Sequence, residues 1–136
     1  MCNDAEAVTG PIFADKHDCR ITRVGRVLRN LRVDELPQLL NVLWGDMSFV
    51  GPRPERPFFV EQFTKEIPYY TQRLSVRPGI TGWAQVNGFR GEIKSIEDME
   101  LRVQYDIHYA ENWTLLFDLK VLAMTFFICL TGRNAY

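Results

Sequence analysis

The sequence is short of the features that announce most protein classes. Its three cysteines, Cys2, Cys19 and Cys129, are odd in number and scattered, with no CxxC spacing. That argues against a disulfide framework or a zinc site and fits a reducing compartment. Only two histidines are present, His17 and His108, and neither has neighbours arranged like a catalytic triad. Neither sign of charge dominates: the formal net charge is −1, so the total leaves no footprint for nucleic acid. No dinucleotide fingerprint or P-loop occurs, no internal repeat stands out, and the polar, acidic start is not a signal peptide. The one long apolar run, Val121 to Leu130, is well short of the ~20 residues that cross a bilayer. It reads as a buried or membrane-surface helix.

What is present belongs to a folded chain. With 136 residues, 46% hydrophobic and 24% charged, the sequence suits one domain over 1–136 with its own core. Charge is unevenly placed. Arg20, Arg23, Arg26, Arg29 and Arg32 crowd one stretch, and Glu92, Glu97, Asp98 and Glu100 another. The basic run is either a solvated helix face or a place for phosphates.

Periodicity supplies the elements. Residues 1–19 show no clear period. Thr22 is placed to cap a helix with Val24, Val27, Leu28 and Leu31 on one side and Arg23, Arg26 and Arg29 on the other. A second helix carries Leu36, Leu39, Leu40, Leu43 and Trp44, with Pro37 in its first turn and Gly45 as its stop. Ser48 to Pro57 reads as a loop stiffened by proline, in which Arg53 between Pro52 and Pro54 has a nearly fixed backbone. Phe59 and Phe63 predict a short helix to about Glu66, and Pro68 begins another segment. The glycine-rich run RPGITGWAQVNGFRG contains β-like stretches at Ile80 and at Ala84 to Val86. Ser95 with Asp98 resembles a capping box for a helix with Ile96, Met99, Val103 and Ile107. Thr114 caps a last helix with Leu115, Leu119, Leu122, Phe126 and Leu130. Trp44, Trp83, Trp113 and most phenylalanines are expected in the core. The fold class is α+β, predominantly helical: a compact single domain with short strands and a glycine-rich loop.

Asp34 and Glu35 are the first candidates for chemistry. Helix phase puts both carboxylates at the opening of the second helix, where they serve either as a cap with a dipole-favoured neighbour or as part of a site. Arginines upstream, Arg53 downstream and free amides at a helix start together describe a phosphate site. A divalent cation is then needed, because carboxylate and phosphate repel each other.

At these residues the sequence resembles the bacterial sugar transferase family. The resemblance rests on VDELPQLLNVLWGDMSFVGPRP at 33–54, RPGITGWAQVNG at 77–88, the YDIHYAENWTLLFDLK segment and the GRNAY ending. It implies a polyprenyl-phosphate phosphoglycosyl transferase that starts an exopolysaccharide or related glycan at the cytoplasmic face of the bacterial inner membrane. Asp34 would attack the β-phosphate of a UDP-sugar, expel UMP and hold the sugar phosphate until undecaprenyl phosphate takes it. Glu35 would hold Mg²⁺. Arg29 and Arg53 would clamp phosphate oxygens. Arg77 either holds phosphate or shapes its loop, and Gln85, with Asn87, either contacts sugar or uridine or serves loop geometry. Asp106 and Asp118 match acidic positions of the family; they either complete the metal or phosphate shell or form structural ion pairs. An unpartnered carboxylate among Leu116, Phe117 and Leu119 would be costly, so Asp118 needs a partner.

Members of the family normally begin with a hydrophobic helix in the cytoplasmic leaflet and a basic motif, and Met1 stands where the last residue of that motif falls. The expectation is therefore an N-terminally truncated catalytic domain without its membrane helix, poorly soluble or membrane-associated when alone. A non-catalytic remnant that binds lipid or partner proteins is the alternative.

Overall fold

A computed structural model describes residues 36–91 and 95–131. Asp34, Glu35, Arg29 and the helix expected after Thr22 lie outside the described residues. Helix α1 spans Leu36–Trp44 and stops where expected. Gly45 takes φ +86°, and the amides of Asp46 and Met47 both turn back to the Asn41 carbonyl at 2.9 and 3.1 Å. A side chain at that φ would be strained, which is why glycine ends the helix.

The chain then departs from the expected loop. Ser48–Val50 forms strand β1, paired in parallel with β2, Gly79–Thr81, with Ser48 opposite Gly79 and Val50 opposite Thr81. Nothing local dictates this strand; its partner lies far along the chain. Between them come helix α2, Pro57–Glu66, with proline in its first turn, and a 3₁₀ turn, Tyr70–Ser75. Ala84 to Val86, read as β-like, is instead the single helical turn α3, Trp83–Val86. Among the described residues the stretch has no strand to pair with, and the amides of Val86 and Asn87 return to Gly82 and Trp83 at 3.1 and 3.3 Å.

Helix α4, Ile96–Glu111, starts as its sequence predicts, with Ser95 Oγ accepting from the Asp98 amide. Helix α5, Leu115–Thr131, is capped by Thr114, whose Oγ1 accepts from the Phe117 amide at 3.1 Å. Packing runs through α4. At one end Met99 and Val103 join Phe59, Phe63, Ile67 and Tyr70. At the other, Tyr109 joins Val50, Val86 and Val121, with Trp83 and Phe117 against them. Each such side chain contributes about 1.5–3 kcal/mol on burial.

The aromatic expectation needs correcting. Trp44 is 72% and Trp113 57% exposed, and Phe49, Phe58, Phe126 and Phe127 are exposed too. On α5 the inward stripe is Val121, Met124 and Ile128, so Leu115, Leu119, Leu122, Phe126 and Leu130 face outward. A helix apolar on every side has no phase from which to read its inner face.

The tightest approach in the fold is backbone on backbone. A Cβ at Gly79 would collide with the Gly51 amide, the Val50 carbonyl carbon and the Thr81 carbonyl, and one at Gly51 with the Arg77 carbonyl. Gly79→Ala is therefore expected to destabilise by about 1–3 kcal/mol or more, seen as a lower urea midpoint. An unchanged midpoint would show that the two segments are not so close.

Candidate active site

The buried stripe of α4 is not wholly apolar. Arg102 and Asp106 fall on it beside Met99 and Val103, at 3% and 2% exposure. Each reaches across to another element. Asp106 pairs with Arg73 of the 3₁₀ turn at 2.8 Å, and Arg102 pairs with Glu55 at 2.9 Å. Arg73 also donates to the Tyr70 phenol at 3.0 Å and to the Arg53 carbonyl at 2.8 Å. Burial pushes the Asp106 carboxyl up, opposed by Arg73 and Arg102. It pulls the Arg102 guanidinium down, opposed by Glu55. In both, burial outweighs the partner, so the ion pairs recover only part of the desolvation cost.

What the pairs secure is a loop. Residues 51–57 are held at the Gly51 amide by the Thr81 carbonyl, at the Pro52 carbonyl by the Gly79 amide, at the Arg53 carbonyl by Arg73 and at Glu55 by Arg102. Arg53, half-buried, is thus presented on a backbone fixed on both sides, as its flanking prolines predict. Arg73, Arg102 and Glu55 are missing from the sequence reading. The available signal was helical phase, since Arg102 and Asp106 share the stripe of Met99 and Val103.

Asp118 has the partners its surroundings require, and among the described residues they are neutral donors and not an arginine or lysine. Tyr109 donates to Oδ1 at 2.6 Å and Trp113 Nε1 to Oδ2 at 3.2 Å. The Val50 carbonyl lies 3.3 Å from the same phenol oxygen, so the α4–α5 corner is tied to β1. Burial first, then the Asp118 carboxylate, keeps the Tyr109 phenol protonated well above the usual range. Tyr109 therefore stays a donor.

The remaining candidates are dispersed. Arg77 is exposed; its Nη1 lies 3.8 Å from where a Gly45 Cβ would stand, at the end of α1 away from Leu36. Gln85 is buried in α3. Asp106 is buried against Arg73. Among the described residues no group of three or more His, Cys, Asp or Glu could hold a metal ion.

The match to known proteins covers nearly the whole chain. The family model described as bacterial sugar transferase matches residues 1–132. The chain belongs to the bacterial sugar transferase family. Among curated proteins it is 47% identical over 99% of its length to a UDP-N-acetylgalactosamine-undecaprenyl-phosphate N-acetylgalactosaminephosphotransferase of Aeromonas hydrophila, 31% of which is covered. It is 50% identical over 90% of its length to a UDP-glucose:undecaprenyl-phosphate glucose-1-phosphate transferase of Caulobacter vibrioides, 46% of which is covered. It is 44% identical over 91% of its length to an undecaprenyl-phosphate galactose phosphotransferase of Salmonella typhimurium, 24% of which is covered. The chain thus spans between a quarter and a half of these relatives.

Two outcomes test the polar framework. Arg73→Met is expected to cost about 3–5 kcal/mol by stranding Asp106, and Arg73→Met with Asp106→Leu to cost less than the single change; equal losses in urea unfolding would deny the pairing. For Tyr109, the folded state holds its proton more tightly than the unfolded state. Its contribution is therefore complete below pH ~10 and is lost as pH rises further. Tyr109→Phe should lower the urea midpoint at pH 8 yet lose less between pH 9 and 11 than the native chain. Parallel pH curves would rule this out.

Proposed function

We propose that this chain is the catalytic part of a transferase that moves a sugar 1-phosphate from a UDP-sugar to undecaprenyl phosphate. The reaction would take place at the cytoplasmic face of the bacterial inner membrane and open the assembly of an exopolysaccharide or related glycan. The observation that carries this reading is similarity over 90% or more of the chain to proteins named for that transfer onto the same lipid, with three different sugars.

Asp34 is the nucleophile. Its carboxylate oxygen bonds to the β-phosphorus as the bond from that phosphorus to the bridging oxygen breaks, and UMP leaves with that electron pair. A phosphate oxygen of the lipid then attacks the same phosphorus and returns the Asp34 carboxylate. Splitting the transfer lets two bulky substrates use one centre in turn. Mg²⁺, held by Glu35, would supply positive charge for the diphosphate. Arg53 suits the equatorial phosphate oxygens, since a planar guanidinium on a fixed backbone loses little freedom on binding; Arg29 would assist. The lipid partner is consistent with exposed Leu43 and Trp44 on α1 and exposed Leu116, Phe126 and Phe127 on α5. Exposed apolar side chains of this kind suit an apolar neighbour.

The test supplies UDP-glucose, UDP-galactose or UDP-N-acetylgalactosamine with undecaprenyl phosphate to the full chain in detergent micelles, and follows UMP. Asp34→Asn is expected to abolish UMP release and any phosphosugar adduct on the protein. Glu35→Gln or removal of Mg²⁺ should slow release by at least about a hundredfold, the scale of losing one stabiliser of transition-state charge. Full turnover by Asp34→Asn would exclude the nucleophile.

A further inference from the structure

Gln85 is unmatched at both ends. The residue is 4% exposed, yet among the described residues neither Oε1 nor Nε2 has a hydrogen-bond partner, although a buried amide ordinarily finds one. It lines a half-open cleft between α3 and α5 with Thr81, Val86, Arg90, Thr125 and Ile128, enclosing about 10 Å³. That is room for one water-sized group.

Counting protons shows what the cleft accepts. Thr125 Oγ1 donates its hydrogen to the Val121 carbonyl at 2.8 Å. The 2.7 Å contact between the Thr81 and Thr125 hydroxyls must then carry the Thr81 hydrogen toward Thr125. Both hydrogens are spent, so the pair offers the cleft only lone pairs. Gln85 offers one acceptor and two N–H donors, and Arg90 offers donors alone. The occupant must therefore both donate and accept. A phosphate or carboxylate oxygen only accepts and would leave the Gln85 carbonyl and the threonine lone pairs facing it. A single hydroxyl meets both conditions.

We propose that this cleft is a hydroxyl-recognition subsite for the sugar-phosphate donor. One O–H of the donor donates to Gln85 Oε1 or Thr81 Oγ1 and accepts from Gln85 Nε2. Arg90 lines the same cleft. The inference rests on the transferase reading above and adds a specificity determinant to it. The hydroxyl belongs to the hexose or to the ribose, and the experiment separates the two.

Binding of UDP-glucose and UDP-galactose to the full chain in detergent micelles is measured by calorimetry. It is compared with analogues lacking one hexose hydroxyl each and with a 2′-deoxyribose analogue. The native chain should bind one analogue about tenfold or more weaker than its parent, because loss of that hydroxyl strands buried polar groups. In Gln85→Met, which keeps the length and removes the amide, that ratio should fall to about one while the other ratios hold. The urea midpoint should stay level or rise, since an unmatched amide is gone. Thr125→Val, a separate change on the other wall, should erase the same ratio. The analogue affected identifies hexose or ribose. Equal binding of all analogues by the native chain, with Gln85→Met merely less stable, would mean that the cleft holds a structural water, overturning the inference. An unchanged ratio in both variants would overturn it equally. Failure of the native chain to bind either nucleotide sugar would instead bring down the transferase reading itself, and this subsite with it.

Discussion

Two ion pairs on the inner face of α4, Asp106 with Arg73 and Arg102 with Glu55, decide where the rest of this fold can sit. The parallel pair β1–β2 has only three residues per strand, and a two-stranded sheet has little stability of its own. Apolar packing would press α2, α4 and the 3₁₀ turn together but would not fix a main-chain carbonyl. A guanidinium does. Arg73 has a planar fork of donors and spends them on a phenol, a carboxylate and the Arg53 carbonyl at once. Because burial still dominates the shifts of Asp106 and Arg102, the pairs are better understood as specifying geometry than as supplying stability.

That distinction explains which parts of the fold were legible in the sequence. Elements governed by nearest neighbours were: the Gly45 stop, the Ser95 and Thr114 caps and the short helix carrying Phe59 and Phe63 all depend on residues within a turn of one another. Elements governed by distant partners were not. Ser48–Val50 becomes a strand only because Gly79–Thr81 lies beside it, and Ala84 to Val86 fails to become one because no partner does. The site divides in the same way. Proline chemistry made the rigidity of the Arg53 loop readable, but the residues that anchor it come from elements far apart in the chain. Asp118 announced the need for a partner without naming Tyr109 or Trp113.

Exposure shows a second limit of periodicity. The apolar spacing of α1 is regular, and a helix of a water-exposed domain would turn such a stripe inward. Here Leu43 and Trp44 lie open at 80% and 72%. Spacing reports that a face is apolar; it does not report what covers it. No helix among the described residues is long and apolar enough to cross a membrane.

Helix α5 brings both themes together. Asp118, Val121, Thr125 and Ile128 recur at the spacing of a single inward stripe, and its polar members are tied to Tyr109 and Thr81. Around the same helix, Leu116, Leu119, Phe126, Phe127 and Leu130 are exposed. A transfer between a water-soluble nucleotide sugar and a lipid phosphate has to join two solvents at one phosphorus atom. A helix with hydroxyl and carboxylate anchored inward and aromatic carbon presented outward sets a polar and an apolar face about one helix diameter apart, on the order of 10 Å. The inner polar contacts are short and directional, so they can hold the helix in place while its outer face stays exposed. That division of labour accounts for why so apolar a helix keeps Thr125 and Asp118 on its packed side, where each needs an exact partner to be tolerated.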